Sequence, residues 1–312
     1  MNVFSQKKLT KPTPIIGVGL RHDHYQQALR EPNDSLPINF VEVHAENFFA
    51  KGGATIDLLM QISDKYNLSL HGTSLGLGSE LALPDEVLSQ FADLVQFCKP
   101  MLVSEHLCFN RALVNNQVMH SSDLLPIAYN HKSLTTIVSQ IERVQERIKR
   151  PILIENLSAY LQPNDLFPAF ANDQFTENEF LIEMCRISGC GLLLDLNNLI
   201  INELNRNTNN PLQVIKKSLA QIPSHLVGEI HLAGYTQQEH MPLIIDDHGN
   251  KVSDDCWQLY EFAMRLFNAP PTLVEWDTNI PQWSVLLNEA NTANKIAASA
   301  ISLASQGHLN EY

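Results

Sequence analysis

Positive charge is scarce in this chain: 21 Lys and Arg stand against 34 Asp and Glu in 312 residues, a formal net charge of -13. Nucleic-acid binding by phosphate neutralisation needs clustered Lys and Arg, so no nucleic-acid partner is expected, whereas an acidic chain suits cations. Long apolar runs are also missing. None approaches membrane-spanning length, and no apolar segment follows the lysines near the N-terminus, so no membrane association is expected and the predicted location is cytoplasmic. The five cysteines include no Cys-x-x-Cys pair, which argues against a zinc knuckle or a thioredoxin-type motif. Cys98, Cys108, Cys185, Cys190 and Cys256 read as buried thiols, with Cys108, which follows Glu105 and His106, as the alternative nucleophile. Low-complexity sequence is absent too, and with 44% hydrophobic and 18% charged residues the composition is that of a globular protein.

What the chain does contain is one plan repeated. Apolar runs over 14–21, 39–49, 68–71, 101–110, 151–156, 190–198, 227–235 and 272–277 read as strands, most of them ending in His, Glu, Asp or Asn. Segments with helical spacing follow them, over 25–30, 55–67, 84–99, 125–150, 178–188, 211–221, 254–267 and 281–305. Few turns suggest hairpins. Eight strands alternating with helices predict a single domain over 1–312 with the (β/α)8 TIM-barrel fold, in preference to an open doubly wound sheet. The glycine-rich stretch Gly72 to Ser79 lacks both the Gly-Lys-Ser/Thr ending of a P-loop and the spacing of a dinucleotide fingerprint, so its glycines are assigned to close backbone packing.

In such a barrel the C-terminal strand ends converge on one mouth. His71, His106, Glu155, Asp195, His231 and Glu275 fall at the ends of strands three to eight, and Asn198, Asp246 and His248 are expected in the loops just beyond strands six and seven. A lone strand histidine is more often a hydrogen-bonded core residue, and a lone Asp at a strand end is often a helix cap. Recurrence on strand after strand is what argues for more. Several carboxylates in one pocket repel one another and lose hydration unless protons or metal ions neutralise them. Imidazole and carboxylate without thiolate suit iron, zinc or manganese. His44, Glu46, His22, His24 and His240 rank below these nine as residues lining the mouth.

The same residues carry two resemblances. Their order along the chain resembles the trinuclear metal site of endonuclease IV and xylose-isomerase-like barrels, in which the strand-five Glu bridges two metals. A closer likeness runs through Gly-Val-Gly-Leu-Arg, Val-Glu-Val-His-Ala-Glu-Asn-Phe, Leu-His-Gly, Ser-Glu-His, Ile-Glu-Asn, Leu-Leu-Leu-Asp-Leu-Asn-Asn, Ile-His-Leu-Ala-Gly, Ile-Asp-Asp-His-Gly and Leu-Val-Glu-Trp-Asp. These motifs, across nearly the whole chain, resemble the MbnB/TglH-type family of multinuclear iron oxidases. The resemblance implies His71, His106 and Glu155 on a first metal, Glu155, Asp195, His231 and Glu275 on a second, and Asn198, Asp246 and His248 on a third. It further implies two to three iron ions, with zinc or manganese as substitutes, and oxidation by O2 of cysteine in a ribosomally made precursor peptide. A separate protein that presents the peptide is implied as a partner. Asp277, one alternate residue beyond Glu275, is then a catalytic base, a substrate contact, or an acid that orients a ligand. The resemblance also implies a basic residue between the Glu and the Asp in many relatives, a pattern from which Trp276 departs. Two other readings stay open: a metal-dependent hydrolase or isomerase of the endonuclease IV and xylose-isomerase type, and a metal-binding scaffold that delivers a peptide without chemistry.

Overall fold

The computed structural model describes residues 13–32, 36–50, 52–160, 175–237 and 243–307. Along the chain, β1 (Ile16–Gly19), α1 (Tyr25–Arg30), β2 (Phe40–His44), α2 (Ala54–Lys65), β3 (Asn67–Gly72), α3 (Asp85–Cys98) and β4 (Leu102–His106) alternate as the pattern predicts. A hairpin of β5 (Cys108–Val114) and β6 (Gln117–Pro126) comes next, before α4 (His131–Ile148), β7 (Leu153–Glu155), α5 (Glu177–Ser188) and β8 (Gly191–Asp195). The remaining elements are α6 (Leu196–Asn205), α7 (Pro211–Leu219), β9 (Val227–Leu232), α8 (Asp254–Leu266), β10 (Thr272–Val274) and α9 (Trp283–Gly307). Eight of the strands close a barrel in the order β1-β10-β9-β8-β7-β4-β3-β2, every pairing parallel. This is the predicted (β/α)8 fold.

Three expectations about elements are corrected. The strand predicted over 190–198 stops at Asp195, where α6 begins with Asp195 as its N-cap. Asn198 therefore lies in the first turn of a helix and not in a loop. The region assigned to strand four and the start of a long helix instead contains the antiparallel β5-β6 hairpin, turned through Asn115 and Asn116, both at positive φ (51° and 61°). Two adjacent positive φ values are what a tight hairpin turn demands, and Asn tolerates them better than most residues. Helix α4 starts only after Asn130, whose side chain accepts the Ser133 N–H. Finally, β10 ends at Val274, so Glu275 and Asp277 follow the strand and do not belong to it.

The outer faces of the strands and the inner faces of the helices form the apolar core. In α4 the buried residues Leu134, Ile137, Val138, Ile141 and Val144 recur at three- and four-residue intervals, the spacing of one helix face. Burying each such side chain stabilises the fold by roughly 2 kcal/mol. The barrel interior differs from the usual layers of Val, Ile and Leu. Phe40 fills its floor opposite Gly17, where a Cβ would stand 2.5 Å from the ring. Above it sit Glu42, Ser69 and Glu229, all fully buried. Register then aligns His44 with His71, His106 with Glu155, and Asp195 with His231 in the layer nearest the mouth. Among the described residues no helix is long and apolar enough to cross a membrane.

Candidate metal centre

His71 and His106 project into the barrel with their Nε2 atoms 3.3 Å apart, and Glu155 Oε2 stands 3.3 Å from the first and 3.4 Å from the second. Their other ring nitrogens are engaged. His106 Nδ1–H donates to the Gly72 carbonyl at 3.2 Å, and His71 Nδ1 is hydrogen-bonded to Ser104 Oγ at 2.8 Å. A carbonyl can only accept, so His106 Nε2 is left with its lone pair directed inward. Ligands held about 2.1 Å from one ion in a tetrahedral arrangement lie about 3.4 Å from one another. The three separations match such edges. Glu155 Oε2 has no hydrogen-bond partner among the described residues.

Glu155 turns its second oxygen towards the other half of the site, where Oε1 lies 3.8 Å from His231 Nδ1. That nitrogen is also 3.2 Å from Glu275 Oε2, and Asp195 completes a group whose ligand atoms lie within 4.8 Å of one another. Asp195 does two jobs with two oxygens. Its Oδ1 caps α6 by accepting the Asn198 N–H at 2.7 Å, while Oδ2 is buried 3.8 Å from His248 Nε2, with no hydrogen-bond partner among the described residues. The cap and the ligand readings of this residue are therefore compatible. Two orphaned carboxylate oxygens beside inward-facing histidine nitrogens fit a divalent cation better than they fit one another.

The third predicted set is arranged differently. Asn198 Oδ1 has no hydrogen-bond partner among the described residues, while its Nδ2–H donates to Asn156 O. Asp246, however, is already engaged: His248 Nε2 lies 2.8 Å from Oδ1, Asn197 Nδ2–H donates to the same oxygen and Ser158 Oγ–H to the other. His248 Nδ1 faces Glu275 Oε2 at 3.3 Å and Asp277 Oδ2 at 3.2 Å. Among the described residues the first two sets keep Glu155 Oε2 and Asp195 Oδ2 without a hydrogen-bond partner beside a His231–Glu275 pair, and in the third His248 is paired with Asp246 and also with Glu275 and Asp277.

Titration directions follow from this burial. Desolvation, followed by the neighbouring imidazoles of His106 and His231, holds His71 well below its ordinary pKa, and desolvation takes His106 to about 4. Desolvation raises Glu155 well above the usual carboxylate range and Asp195 to about 7, with Asp246 adding to the second. His231 and His248 move up although burial alone opposes it, because Glu42 and Glu155 surround the first and Asp246 the second. Glu275 stays well below its ordinary value against the pull of burial, since both histidines donate to it.

Arg21, which sequence reading passed over, closes the set. Its Nε–H donates to Asp277 at 2.6 Å and its Nη2–H to Glu275 at 2.8 Å, across 256 and 254 residues of chain. Gly19 makes this possible, since a Cβ there would stand 3.1 Å from the Arg21 Nη1. Arg21 thus holds Asp277 ionised, below its usual pKa despite burial and the charge of Glu275. The cation against this acid pair comes from the end of β1, while Trp276 is buried in the core. His44 Nε2 reaches Glu275 Oε1 only at 3.8 Å. Glu46 instead accepts the Thr73 and Ser74 N–H groups, His24 is tied to the Pro281 carbonyl against Trp283, and His22 is exposed beside Asp23. His240 lies outside the described residues.

A cavity of about 290 Å³ opens from the cluster to solvent, bounded by His71, Glu155, Asn198 and Asp277 on the barrel side and by Asp123 and Leu124 of β6 on the other. Cys108 does not reach it as a nucleophile: it is fully buried and desolvation pushes its thiol well up. Cys98 is half-buried, unlike the other four cysteines. The glycine-rich stretch packs closely, as its composition suggested. A Cβ on Gly76 would meet the Asn110 amide at 1.9 Å, and one on Gly78 would meet Ile127 at 2.5 Å.

The model of the RiPP precursor modification enzymes MbnB/TglH/ChrH matches residues 15–298. A UPF0276 protein of Chromobacterium violaceum is 40% identical over 294 residues, covering 94% of this chain and 98% of that one. Another, from Paraburkholderia phytofirmans, is 38% identical over 295 residues, covering 93% and 90%. Among solved structures, endonuclease IV from Thermus thermophilus superposes with a TM-score of 0.54 at 11% identity over 93% of this chain and 99% of that one. The D-psicose 3-epimerase from Clostridium cellulolyticum gives 0.51 at 10% over 94% and 98%. At such identities the structural likeness speaks for the fold alone.

Proposed function

The chain belongs to the MbnB/TglH/ChrH family of RiPP precursor modification enzymes, and from that premise we propose that it is a multinuclear non-haem iron oxidase that modifies cysteine in a ribosomally made precursor peptide, with O2 as electron acceptor. The observation that carries this reading is the convergence of His71, His106, Glu155, Asp195, His231 and Glu275 in two sets whose ligand atoms lie within 4.8 Å of one another, with Glu155 Oε2 and Asp195 Oδ2 lacking a hydrogen-bond partner among the described residues. His71, His106 and Glu155 would hold one iron, and Glu155, Asp195, His231 and Glu275 a second. Asn198, Asp246 and His248 would hold a third once His248 gives up its ion pair. When bound, iron supplies redox chemistry towards O2 and a Lewis-acidic position for a thiolate.

The chain's own residues do the rest. Glu155 keeps the two halves in fixed relation through its two oxygens. Asp277, the most accessible acid of the group at 30% side-chain exposure, is kept ionised by Arg21 and stands ready to take the proton of an incoming thiol. Asp123 and Leu124 belong to the hairpin whose outer part exposes Leu113, Val114, Val118 and Met119. That exposed apolar surface, on the same hairpin that borders the mouth, supports a peptide substrate, and a separate presenting protein, over a small sugar.

The test is co-expression with small Cys-containing open reading frames from the gene's surroundings, followed by mass spectrometry of the peptides. A mass change that requires O2 and iron supports the assignment. An intact iron cluster with every such peptide unchanged refutes it. Selective loading with zinc when both metals are offered anaerobically would favour hydrolase or isomerase chemistry instead.

A further inference from the structure

Beneath the ligand layer lies a second polar layer that the proposed metals would not reach. Glu42 on β2 and Glu229 on β9 are fully buried, two residues before His44 and His231 and thus on the same inward faces of their strands. Ser69 Oγ–H donates to Glu42 Oε2 at 2.8 Å. Glu42 Oε1, both carboxylate oxygens of Glu229 and His231 Nε2 have no hydrogen-bond partner among the described residues. The imidazole of His231 stands between the layers. Its Nδ1 faces Glu275 and Glu155 above, while Nε2 lies 3.6 Å from Glu42 Oε1 and 3.8 Å from Glu229 Oε1 below.

This geometry assigns the two ring nitrogens. Only Nδ1 points at the ligand layer, and a neutral imidazole that offers its Nδ1 lone pair to a metal carries its single hydrogen on Nε2. The acceptors facing that hydrogen are Glu42 and Glu229. Building two carboxylates into a sealed barrel only to fill space is a poor solution, since apolar side chains of similar volume would pack there without losing hydration. Glu42 is anchored by Ser69, whereas Glu229 has no other tie.

We propose that Glu42 and Glu229 are positioning residues that fix His231 as the Nε2–H tautomer and aim its Nδ1 lone pair at the second metal. The assignment rests on the metal-centre reading above. Outer partners of this kind set the tautomer and basicity of a ligating histidine, and their loss typically lowers metal affinity by roughly 10- to 100-fold.

The experiment uses the full chain loaded with zinc, which is diamagnetic, and labelled with 15N-histidine. Long-range proton–nitrogen correlation, with the His231 signals identified from a His231→Gln variant, should show a metal-bound Nδ1 and a protonated Nε2. Zinc competition against a chelator should show one ion weakened about 10- to 100-fold in Glu229→Leu, with the other ions unchanged. Glu229→Gln, which keeps an amide oxygen as acceptor, should recover part of that affinity. A metal-bound or unprotonated Nε2 overturns the proposal, and so does unaltered affinity in both Glu42→Leu and Glu229→Leu. One extra zinc in the wild type that disappears when either Glu is replaced would make the lower layer a metal site of its own and also overturn it. Should the leucine variants fail to fold, the tautomer read in the wild-type protein decides alone. Absence of zinc binding in the wild type would instead refute the metal-centre reading, a result distinct from all of these.

Discussion

Replacing Glu155 tests the centre most directly, because its two oxygens face different halves. Oε2 stands 3.3 and 3.4 Å from His71 and His106, and Oε1 stands 3.8 Å from His231. Glu155→Ala removes a ligand from both sets, so metal content after anaerobic reconstitution should fall by two ions together. Glu155→Gln keeps one carbonyl oxygen and turns an NH2 towards the other half, which cannot ligate, so it should retain one of those two ions. Stability gives a second signature. Each site filled at a hundredfold excess over its Kd adds about 2.7 kcal/mol, so two sites add about 5 kcal/mol. For a chain of this size that corresponds to about 10 °C in Tm, at roughly 2 °C per kcal/mol. Glu155→Ala should lose that metal-induced rise, while the metal-free variant melts no lower than the metal-free wild type, because burial already disfavours the Glu155 carboxylate there. Loss of only one ion from Glu155→Ala, by elemental analysis and calorimetry, would refute the bridging arrangement.

Asp277→Asn should leave metal content unchanged and slow peptide modification by about 10²- to 10⁴-fold, read by single-turnover mass spectrometry, since it removes a proton acceptor and no predicted ligand. The metal-free protein should become less stable as pH rises from about 6.5 to 8. His231 and His248, held well above their ordinary pKa, keep protons in that window that the unfolded chain releases, and Asp195, raised to about 7 when folded, gives up a proton that the unfolded chain has already lost. Below that window the lowered His71 and His106 act oppositely, since only the unfolded chain binds their protons, so the test is the Tm of the metal-free protein between about pH 6.5 and 8, where a flat profile would contradict this. Metal uptake should accordingly release more protons at pH 6 than at pH 8, measured by calorimetry in buffers of different ionisation enthalpy. Under native conditions a thiol reagent should modify Cys98 alone, and slowly, because burial lifts its pKa to about 11, whereas unfolding should expose all five cysteines.

The barrel could be read from the sequence because its signal is periodic and repeated: eight apolar runs, each long enough to identify, with helical spacing between them. The predicted ligands were legible for the same reason, as polar residues breaking an apolar run at its end. Local errors arose where two signals overlapped. Leu192 to Leu196 looks like one apolar run, yet Asp195 is both the strand's last residue and the helix's cap, and the spacing of Leu196, Ile200 and Ile201 was the helix signal to weigh against it. Asn115-Asn116 was a hairpin turn signal between Ala112-Leu113-Val114 and Val118-Met119, in a stretch where the strand–helix alternation led to the expectation of a helix next. Arg21 belongs to another class of omission. One arginine after a strand carries no local pattern, and its partners lie more than 250 residues away, so only closure of the barrel brings them together.

Arg21 also constrains how the interior balances its charge. Glu42, Glu155, Asp195, Glu229 and Glu275 are sealed in or just above the barrel, with Asp277 beside them, and among the described residues Arg21 is the permanent cation in contact with that group. Its guanidinium is already committed to Glu275 and Asp277, the two acids held below their usual pKa values. Glu155, Asp195 and Glu229 move up instead, burial being the main cause in each, and His231 and His248 hold protons against burial. These shifts all favour the protonated forms in the metal-free cluster, which reduces the repulsion among its carboxylates. The same protons must leave when ions bind. On the proposed reading, metal loading would be a proton-for-metal exchange across one buried cluster, with Arg21 anchoring the end of the cluster that needs no proton.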